Sequence, residues 1–587
     1  MRTKTELRRL IQGAIGEVKA DLIVTGGKLI NVYSGEILDG MAIAILDGRI
    51  CYVGPSAAHA RGEATKILDA RGLYVSPGFI DGHTHIGYYC RPYEYLQAYL
   101  PHGTTALMAS CDELATVFGY RGLKFFLEEV EVHPLRVFTL ISMVAPQDPL
   151  LCQTAKITNA EIEAALQDPR ILGLGEIVSW LRLTQLDEEI LERLEMAWRS
   201  GKIMHGHTAG AKDLKLCAVA AVGISSCHEP IRAEEALERL RLGYWTMLRE
   251  GSLRQDLEAT LAPLIARGID TQRLILVTDS MSPDDVEEFG HMDHVLRRAV
   301  GLGLPPLRAI QAVTLHPATY SSVEQEVGGI APGRFADIVL LENLESFPVQ
   351  ATLIGGKVVA QEGQSLVQSA PISVPHDMTH SLRLQPSISA EQFRVHCPTE
   401  NAKIRVMELL NQNITAERVM SVKAQKNHVE ADLEQDLLKV AIFDRHDQIG
   451  RIAIGFLKGL GAKIGAVGTT TDLDENTLLV AGSSDLDMAV CANTLIESGG
   501  GIAIVNNRQL LEKIEFPVGG IYGLNPWRQV GRDLRRIHRC LRERGSQLER
   551  PMYALCFLPF VTLPSLRITA RGLINAKERK IVPLFVD

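Results

Sequence analysis

Histidines and carboxylates gather at five places in the first half of the chain. The five places are Asp81-Gly82-His83-Thr84-His85, Gly173-Leu174-Gly175-Glu176, His205-Gly206-His207, Ser226-Cys227-His228-Glu229 and Val277-Thr278-Asp279. Side chains at positions i and i+2 of a strand point to the same face, so His83 and His85 project together as two metal ligands must. Imidazole nitrogens and carboxylates at this density suit Zn, Fe or Mn. The joint pattern predicts a metal site.

Each of these residues also has an ordinary structural explanation when it is taken alone. Glu176 could be a surface carboxylate, Asp279 could cap a helix, and His228 could be a buried histidine with its hydrogen bonds satisfied. One HxH pair is weak support for a metal. The metal interpretation is favoured because ligand-type residues end five strands of one repeating pattern.

Eight short apolar runs, separated by amphipathic stretches of helix length, must position these side chains. The predicted strands are 74–86, 104–110, 136–144, 171–177, 202–208, 223–229, 243–249 and 273–280. Eight βα repeats over about 250 residues predict a TIM barrel, whose active site lies at the carboxyl ends of the strands. A doubly wound sheet is the alternative, but its phosphate-binding motifs GxxxxGK[ST] and GxGxxG are absent from the sequence.

The remaining segments predict additional domains around the barrel. Glycine-punctuated β-rich runs occupy 21–72 and return at 328–370, which predicts one composite β domain; two unrelated small sheets are the alternative. We expect a helix at 1–20, the barrel at 73–327, a linker at 371–389 and a further domain at 390–587. The predicted fold class is α/β, a (β/α)8 TIM barrel with a split small β-sandwich domain and an extra C-terminal α/β domain.

Composition limits the classes of partner. The chain has 587 residues and 61 Lys and Arg against 70 Asp and Glu, a net charge of −9 that argues against a nucleic-acid or anionic-membrane partner. No segment reaches the roughly 18 apolar residues of a membrane span, and residues 1–20 lack the apolar core of a signal peptide. Ten cysteines without CxxC spacing indicate free thiols, so we expect a cytoplasmic protein.

Motifs along nearly the whole chain resemble a known family. The run from Pro77 to His85, PGFIDGHTH, resembles the opening signature of the amidohydrolase superfamily. More narrowly, the chain resembles a divergent member of the adenine deaminase family. The supporting stretches are 173–177, 206–210, 223–229, 249–252, 278–279, 290–293 and 330–337, with 499–501, 517–520 and 563–569 in the C-terminal part.

The resemblance implies a reaction, a cofactor and a ligand set. It implies hydrolytic deamination of adenine to hypoxanthine and ammonia, or of a related 6-aminopurine, by attack of a metal-bridging hydroxide. The implied cofactor is a binuclear divalent centre of Mn, Fe or Zn, and the implied state is a homo-oligomer. The implied metal ligands are His83, His85, Glu176, His207, His228 and Asp279, with Glu176 bridging. Asp279, Glu176 and His228 are the implied catalytic residues, Asp279 moving the proton to the leaving nitrogen.

Departures from the family pattern surround the predicted site. Gly87, Tyr88 and Tyr89 stand where the family has Glu-Ser-Ser, and His205 shares the face of His207 and could replace it as a ligand. We therefore predict a reshaped substrate wall made by Tyr88, Tyr89, Arg249 and Glu250. An amidohydrolase that opens a cyclic amide or another C–N bond of a heterocycle is one alternative, and a catalytically silent binding homologue is another.

A second departure lies in the C-terminal part. The segment 470–476 replaces a family motif that contains two histidines. Its acidic residues Asp472, Asp474 and Glu475 either take over a role at the substrate pocket or form a solvated turn.

Overall fold

The computed structural model describes residues 2–143, 145–385, 387–446, 450–473, 475–563 and 565–586. Its central body has eight parallel strands, all eight of which were predicted. They are β1 (Phe79–His85), β2 (Thr104–Ser110), β3 (Arg136–Ile141), β4 (Ile171–Ile177), β5 (Ile203–Gly206), β6 (Ser226–Cys227), β7 (Trp245–Arg249) and β8 (Leu274–Val277). Val144, the predicted end of the third strand, lies outside the described residues.

The eight strands close into a barrel. Strands β1 to β5 form one parallel sheet in sequential order and β6 to β8 form a second. The Gly206 amide donates to the Ser226 hydroxyl at 3.2 Å between β5 and β6. Between β8 and β1, Asp279 donates its amide to the His83 carbonyl and accepts from the His85 amide, both at 3.1 Å. The predicted TIM barrel is confirmed.

Helices follow the strands and pack their apolar faces on the barrel. They are Pro92–Tyr99, Asp112–Phe118, Tyr120–Glu131, Asn159–Leu166, Trp180–Thr184, Glu188–Ser200, Asp213–Ala221, Ala233–Arg241, Leu257–Ala266, Pro283–Phe289, Met292–Gly301, Pro306–Ala312 and Leu315–Tyr320. The helix Glu188–Ser200 shows why: Asp187 caps its first turn, and Ile190, Leu194 and Ala197 form a buried stripe at helical spacing.

The predicted first strand is two strands. Tyr74–Pro77 pairs with Lys28–Asn31 and Ile338–Leu341 in a separate sheet, whereas β1 begins at Phe79. The chain passes between them at Gly78, where a Cβ would overlap the Thr105 side chain. Only glycine fits this approach.

Strands from both ends of the barrel segment share one seven-stranded sheet, so the two β-rich regions are not unrelated sheets. The order is Gln364–Ser365, Lys357–Gln361, Val349–Ile354, Ile338–Leu341, Tyr74–Pro77, Lys28–Asn31 and Glu36–Leu38. It packs on a four-stranded sheet of Arg49–Gly54, Ala42–Leu46, Leu22–Thr25 and Lys66–Asp69. The first helix, predicted over 1–20, covers only Lys4–Ala14 and begins at a Thr3–Glu6 capping box.

The C-terminal part forms a large mixed sheet flanked by helices. In sheet order its strands are Thr415–Lys423, Asn401–Leu409, Ile452–Lys458, Leu437–Phe443, Leu479–Gly482, Ala466–Thr469, Gly501–Asn506 and Gln509–Glu515, with Phe585–Val586 beside Asn401–Leu409. A three-stranded sheet comprises Leu566–Thr569, Gly572–Asn575 and Lys580–Val582. The helices are Asp485–Glu497, Trp527–Glu543 and Pro551–Cys556.

The segment predicted as a linker packs against its neighbours. Arg91 donates to the Ile372 carbonyl at 2.8 Å, Met378 is fully buried, and Thr379 forms a β-bridge with Val518. This segment therefore connects the barrel to the C-terminal part through ordered contacts. Within the described residues, no helix combines the length and apolar character that crossing a membrane requires.

Candidate metal centre

The six predicted ligands lie together at the carboxyl ends of the barrel strands. His83 and His85 end β1, Glu176 lies near the end of β4, and Asp279 follows β8. His207 and His228 directly follow β5 and β6. All six side chains are buried or nearly so. Parallel strands end at the same rim, which is why residues almost 200 positions apart meet.

The first group joins β1, β4 and β8. His83 Nε2 lies 2.9 Å from Glu176 Oε1 and 3.2 Å from Asp279 Oδ1. His85 Nε2 lies 2.8 Å from the same Glu176 oxygen. One donor atom from each of these four residues lies within 4.8 Å of the others.

The second group uses the other oxygen of Glu176. Glu176 Oε2 lies 3.9 Å from His207 Nε2 and 3.7 Å from His228 Nε2. One donor atom from each of these three residues lies within 4.8 Å of the others, close enough to bind one ion. Glu176 therefore presents one oxygen to each group. A carboxylate is suited to such a position because its two oxygens point in different directions.

The donor atoms fit divalent cations. His83 is fully buried, and among the described residues its Nδ1 has no hydrogen-bond partner while its Nε2 is close only to carboxylate oxygens of Glu176 and Asp279. A buried polar atom without a partner is costly, and a cation between Nε2 and the carboxylates removes that cost. Mixed nitrogen and oxygen donors are typical of Zn, Fe and Mn sites.

His205 lies below the two groups inside the barrel. Its Nε2 is 3.4 Å from His228 Nδ1, and its Nδ1 is 3.3 Å from the Tyr320 hydroxyl. His207 instead lines the open cleft above the groups. The contact with His205 uses His228 Nδ1 and leaves Nε2 of His228 toward Glu176, which is the orienting role that partners of metal-binding histidines have. His83, His205 and His228 also have donor atoms within 4.8 Å of one another, so both His205 and His207 belong to possible ligand groups.

Arg249 organises the carboxylates beside the second group. Its guanidinium contacts Glu229, lies 3.3 Å from Asp279 Oδ2 and bonds Asp256 at 2.8 Å. Burial raises the pKa of Asp279, but His83, His228 and Arg249 lower it more, so that its pKa stays well below the ordinary value. Asp279 also has a φ of +63°, an uncommon backbone conformation that aspartate tolerates.

A cleft with about 620 Å³ of empty space opens above the metal ligands. Its wall includes the C-terminal residues Leu473, Phe557, Phe560 and Leu563, together with Tyr88, Asp112, Gln147, Glu229, Arg249, Leu253 and Arg254. The barrel supplies polar groups and the C-terminal part supplies an apolar, partly aromatic face. Sequence reasoning missed Asp112, Gln147, Phe557, Phe560 and Leu563; it named Glu229 only within the motif that ends the sixth strand, and Leu473 lies in the segment 470–476 that it connected with the pocket.

Of the four residues predicted for the substrate wall, the structure brings Tyr88 and Arg249 to the cleft. Tyr89 points away from it, with its hydroxyl 3.8 Å from Cys556 Sγ and its ring against Phe516. Glu250 accepts a 3.0 Å hydrogen bond from Arg298 on the outer side of the barrel. We therefore correct the predicted wall by removing Tyr89 and Glu250.

The departure at Gly87 has a partner elsewhere in the fold. A Cβ at Gly87 would lie 2.9 Å from Glu113 Oε2, so the Glu113 side chain occupies the space beside this glycine. Glu113 Oε1 lies 3.1 Å from His85 Nδ1. A carboxylate from the segment after β2 thus stands beside Gly87, the position where the family pattern has Glu, and holds the ring of the ligand His85.

The carboxylates of Asp472 and Glu475, in the acidic segment 470–476, neither face solvent nor line the cleft. Asp472 accepts from the backbone amides of Glu475, Asn476 and Thr477. Glu475 accepts from the amides of Gln153 and Ala570. Both side chains are fully buried and hold the turn together, so both predicted roles are wrong for them; Asp474 lies outside the described residues.

Comparisons with known proteins agree with this architecture. The "Adenine deaminase C-terminal domain" family matches residues 412–580, and the "Amidohydrolase family" matches residues 74–359. The adenine deaminase of Moorella thermoacetica is 38% identical over 583 residues, which cover 98% of each chain. The adenine deaminase of Cenarchaeum symbiosum is 36% identical over 578 residues, which cover 98% of this chain and 95% of that protein.

Among solved structures, the chain is similar to the beta-aspartyl dipeptidase of Fervidobacterium islandicum AW-1. It superimposes on 59% of this chain and 99% of its own, with a TM-score of 0.47 and 16% identity. The two near-full-length relatives confirm the predicted resemblance, and the chain belongs to the adenine deaminase family of amidohydrolases.

Proposed function

We propose that this chain hydrolyses adenine to hypoxanthine and ammonia in the cleft above β1, β4, β5, β6 and β8. The observation that carries the proposal is that Glu176 offers one carboxylate oxygen to each of two ligand groups. Water supplies the oxygen that bonds to C6 of the purine, the C6–N bond breaks, and the amino nitrogen leaves as ammonia. The chain aligns over nearly its full length with proteins named adenine deaminase, which supports the choice of substrate.

We infer that the site binds two divalent cations of the Mn, Fe or Zn class. His83, His85 and Asp279 would hold one cation, His207 and His228 the other, and Glu176 both. When bound, such cations supply Lewis acidity and lower the pKa of water toward neutrality. The distances from each Glu176 oxygen to its histidines support this division of the ligands.

Asp279 is the proposed proton carrier. His83, His228 and Arg249 lower its pKa, so it is ionised at neutral pH, and its position beside the ligand groups in the wall of the cleft supports the role of proton acceptor. Its Oδ2 faces Arg249 at 3.3 Å while Oδ1 faces His83, so the two contacts fix the plane of the carboxylate. A carboxylate held in this way can pass the proton to the leaving nitrogen without reorienting.

The cleft supplies groups suited to a flat, polar heterocycle. Phe557 and Phe560 provide aromatic surface for a purine ring. The Oε1 atom of Gln147 is buried, has no hydrogen-bond partner among the described residues and lines the cleft, so we assign it to an N–H of the purine. Burial raises the pKa of Tyr88 well above its ordinary value, which keeps its hydroxyl a donor.

We also propose that the chain works in the cytoplasm as a homo-oligomer, with the predicted domains except that Tyr74–Pro77 belongs to the composite β domain. All ten cysteines are free thiols in the structure, which agrees with a reducing compartment. Size-exclusion chromatography with light scattering tests the oligomer, and a mass of one chain would contradict it.

A substrate panel tests the reaction. The purified protein, loaded separately with Mn, Fe or Zn, is offered adenine, other 6-aminopurines and cyclic amides, with ammonia release as the readout. The proposal expects ammonia and hypoxanthine from adenine. Turnover of a cyclic amide with adenine unchanged would indicate the alternative hydrolase, and metal-loaded protein without any turnover would indicate a silent homologue.

A further inference from the structure

The helix Trp527–Glu543 carries a row of arginines on its exposed side. Its apolar side, with Val530, Leu534, Ile537 and Leu541, is buried. The opposite side presents Arg532, Arg535, Arg539 and Arg542. Spacings of three and four residues put these four on one face, over about 15 Å of helix length.

These arginines line a cavity, called here the arginine pocket. It has about 1080 Å³ of empty space and lies between this helix, the helix Pro283–Phe289 and the chain at 549–550. Its lining consists of Asp284, Glu288, Arg532, Arg535, Arg536, His538, Arg539, Arg542, Glu549 and Arg550. The lining holds six guanidinium groups and three carboxylates, and Arg535, Arg536, Arg539 and Arg550 pair with carboxylates just outside it. The pocket shares no lining residue with the metal cleft.

Two buried side chains of the pocket, His538 and Arg550, have nitrogen atoms without a hydrogen bond among the described residues. His538 is 3% exposed, and neither of its ring nitrogens has a hydrogen bond. Arg550 is 7% exposed, and its Nη1 has no hydrogen bond and lies 3.5 Å from Asp284. Burial and the neighbouring arginines hold the pKa of His538 at about 4, so the neutral ring keeps one N–H donor. The N–H of His538 is buried without an acceptor among the described residues, which indicates that an acceptor is missing from the pocket.

Ion pairs hold part of the pocket in place and leave the rest free to bind. Arg535 pairs with Glu287 and Arg550 with Asp285, which fixes their guanidinium groups. Arg532 and Arg542 have no carboxylate within 4 Å among the residues that the structure describes. Guanidinium groups held by ion pairs therefore lie beside guanidinium groups without a carboxylate partner. This arrangement suits a multivalent oxyanion, because arginine binds phosphoryl oxygens with paired N–H groups.

We propose that the arginine pocket binds a small anion with two or more phosphoryl groups. A single phosphate could reach only one part of the 15 Å row, whereas a polyphosphate could contact several arginines at once. The pocket is concave, and Glu288 and Glu549 belong to its lining, so an extended nucleic acid or a membrane surface fits less well. Inorganic pyrophosphate, tripolyphosphate and nucleoside triphosphates share the required group.

Calorimetric titration of the metal-loaded protein tests the site. The probes are phosphate, pyrophosphate, tripolyphosphate, ATP and adenosine, with single-stranded DNA and anionic lipid vesicles as macromolecular probes. We expect the affinity to rise with the number of phosphoryl groups and adenosine not to bind here. In the double variant R532Q/R539Q the affinity for tripolyphosphate should fall about tenfold or more, since two charged donors are lost.

The matched control is R528Q/R241Q, which removes two exposed arginines that do not line the pocket. It should bind within about twofold of the wild type, and both double variants should keep the wild-type Tm and adenine turnover. Equal weakening in both variants, or no binding of any polyphosphate, would overturn the proposal. Binding that survives in R532Q/R539Q and competes with adenine would place the anion at the metal centre instead, and preferential binding of single-stranded DNA or anionic vesicles would assign the surface to a macromolecule.

Discussion

The substitution Asp279→Asn separates the proposed proton transfer from metal binding. Asparagine has the same shape, accepts the positive φ of this position and keeps one oxygen toward His83. It removes the negative charge that would accept the proton. Arg249 loses one of its three carboxylate contacts but keeps Glu229 and Asp256, so the variant should fold.

The expected loss follows from the role. A positioned general acid–base contributes about 10²–10⁴-fold, which corresponds to about 3–5 kcal/mol of barrier. We therefore expect kcat for adenine to fall by at least about 100-fold. The effect on bound metal should be smaller, because the other three residues of the first group are unchanged.

The assay measures ammonia release and metal content on the same sample at saturating metal. The control is Asp256→Asn, which also removes a carboxylate partner of Arg249 but leaves both ligand groups intact. We expect this control to retain activity within about tenfold. If Asp279→Asn keeps its metal and also stays within about tenfold of the wild type, the proton-carrier role of Asp279 is refuted.

Three further variants test other parts of the account. Gln147→Ala should lower kcat/KM for adenine by about 10- to 100-fold with unchanged metal content, since it removes one hydrogen bond to the substrate; unchanged kinetics would exclude that contact. Arg239→Lys should lower metal affinity about tenfold, because buried Arg239 ties Thr208, after the ligand His207, to the next strand at Cys227; equilibrium dialysis with unchanged affinity would contradict this positioning role. The substitution His133→Asn should reduce the loss of folding stability at low pH. Burial lowers the pKa of His133 from 6.5 to about 3. The neutral buried ring therefore contributes fully to folding stability above pH 6.5, and this stability is lost as the pH falls toward 3. Between pH 7 and pH 4.5 the free energy of unfolding should fall by about 2–3 kcal/mol less in the variant than in the wild type. Parallel curves of Tm against pH over this range would refute this.

The barrel, and the meeting of the six proposed ligands at its rim, were predictable because their signals are local. Buried parallel strands appear as apolar runs, and the residues that end them must share one rim. The division of the first predicted strand was missed, although Pro77-Gly78 is a dipeptide that typically interrupts a strand. It depends on Gly78 approaching Thr105, a contact between segments that only the fold defines.

The substrate wall was harder to predict because its members come from distant segments. Phe557 and Phe560 reach the cleft only when the C-terminal part packs on the barrel. Glu250 could have been excluded by strand alternation, since it follows Arg249 and must face the opposite side. Tyr89 departs from its neighbour Tyr88 because its φ of +67° turns the chain away from the cleft.

Reconstitution of the chelated protein tests whether adenine deamination needs two metal ions per chain. The protein is stripped of metal, returned stepwise to Mn, and assayed with adenine while bound Mn is counted. If the site binds two catalytic cations, hypoxanthine and ammonia form in equal amounts. Activity then rises up to two Mn per chain and stays constant at higher Mn. A protein that binds two Mn per chain and leaves adenine unchanged would contradict the account, as would full activity after chelation.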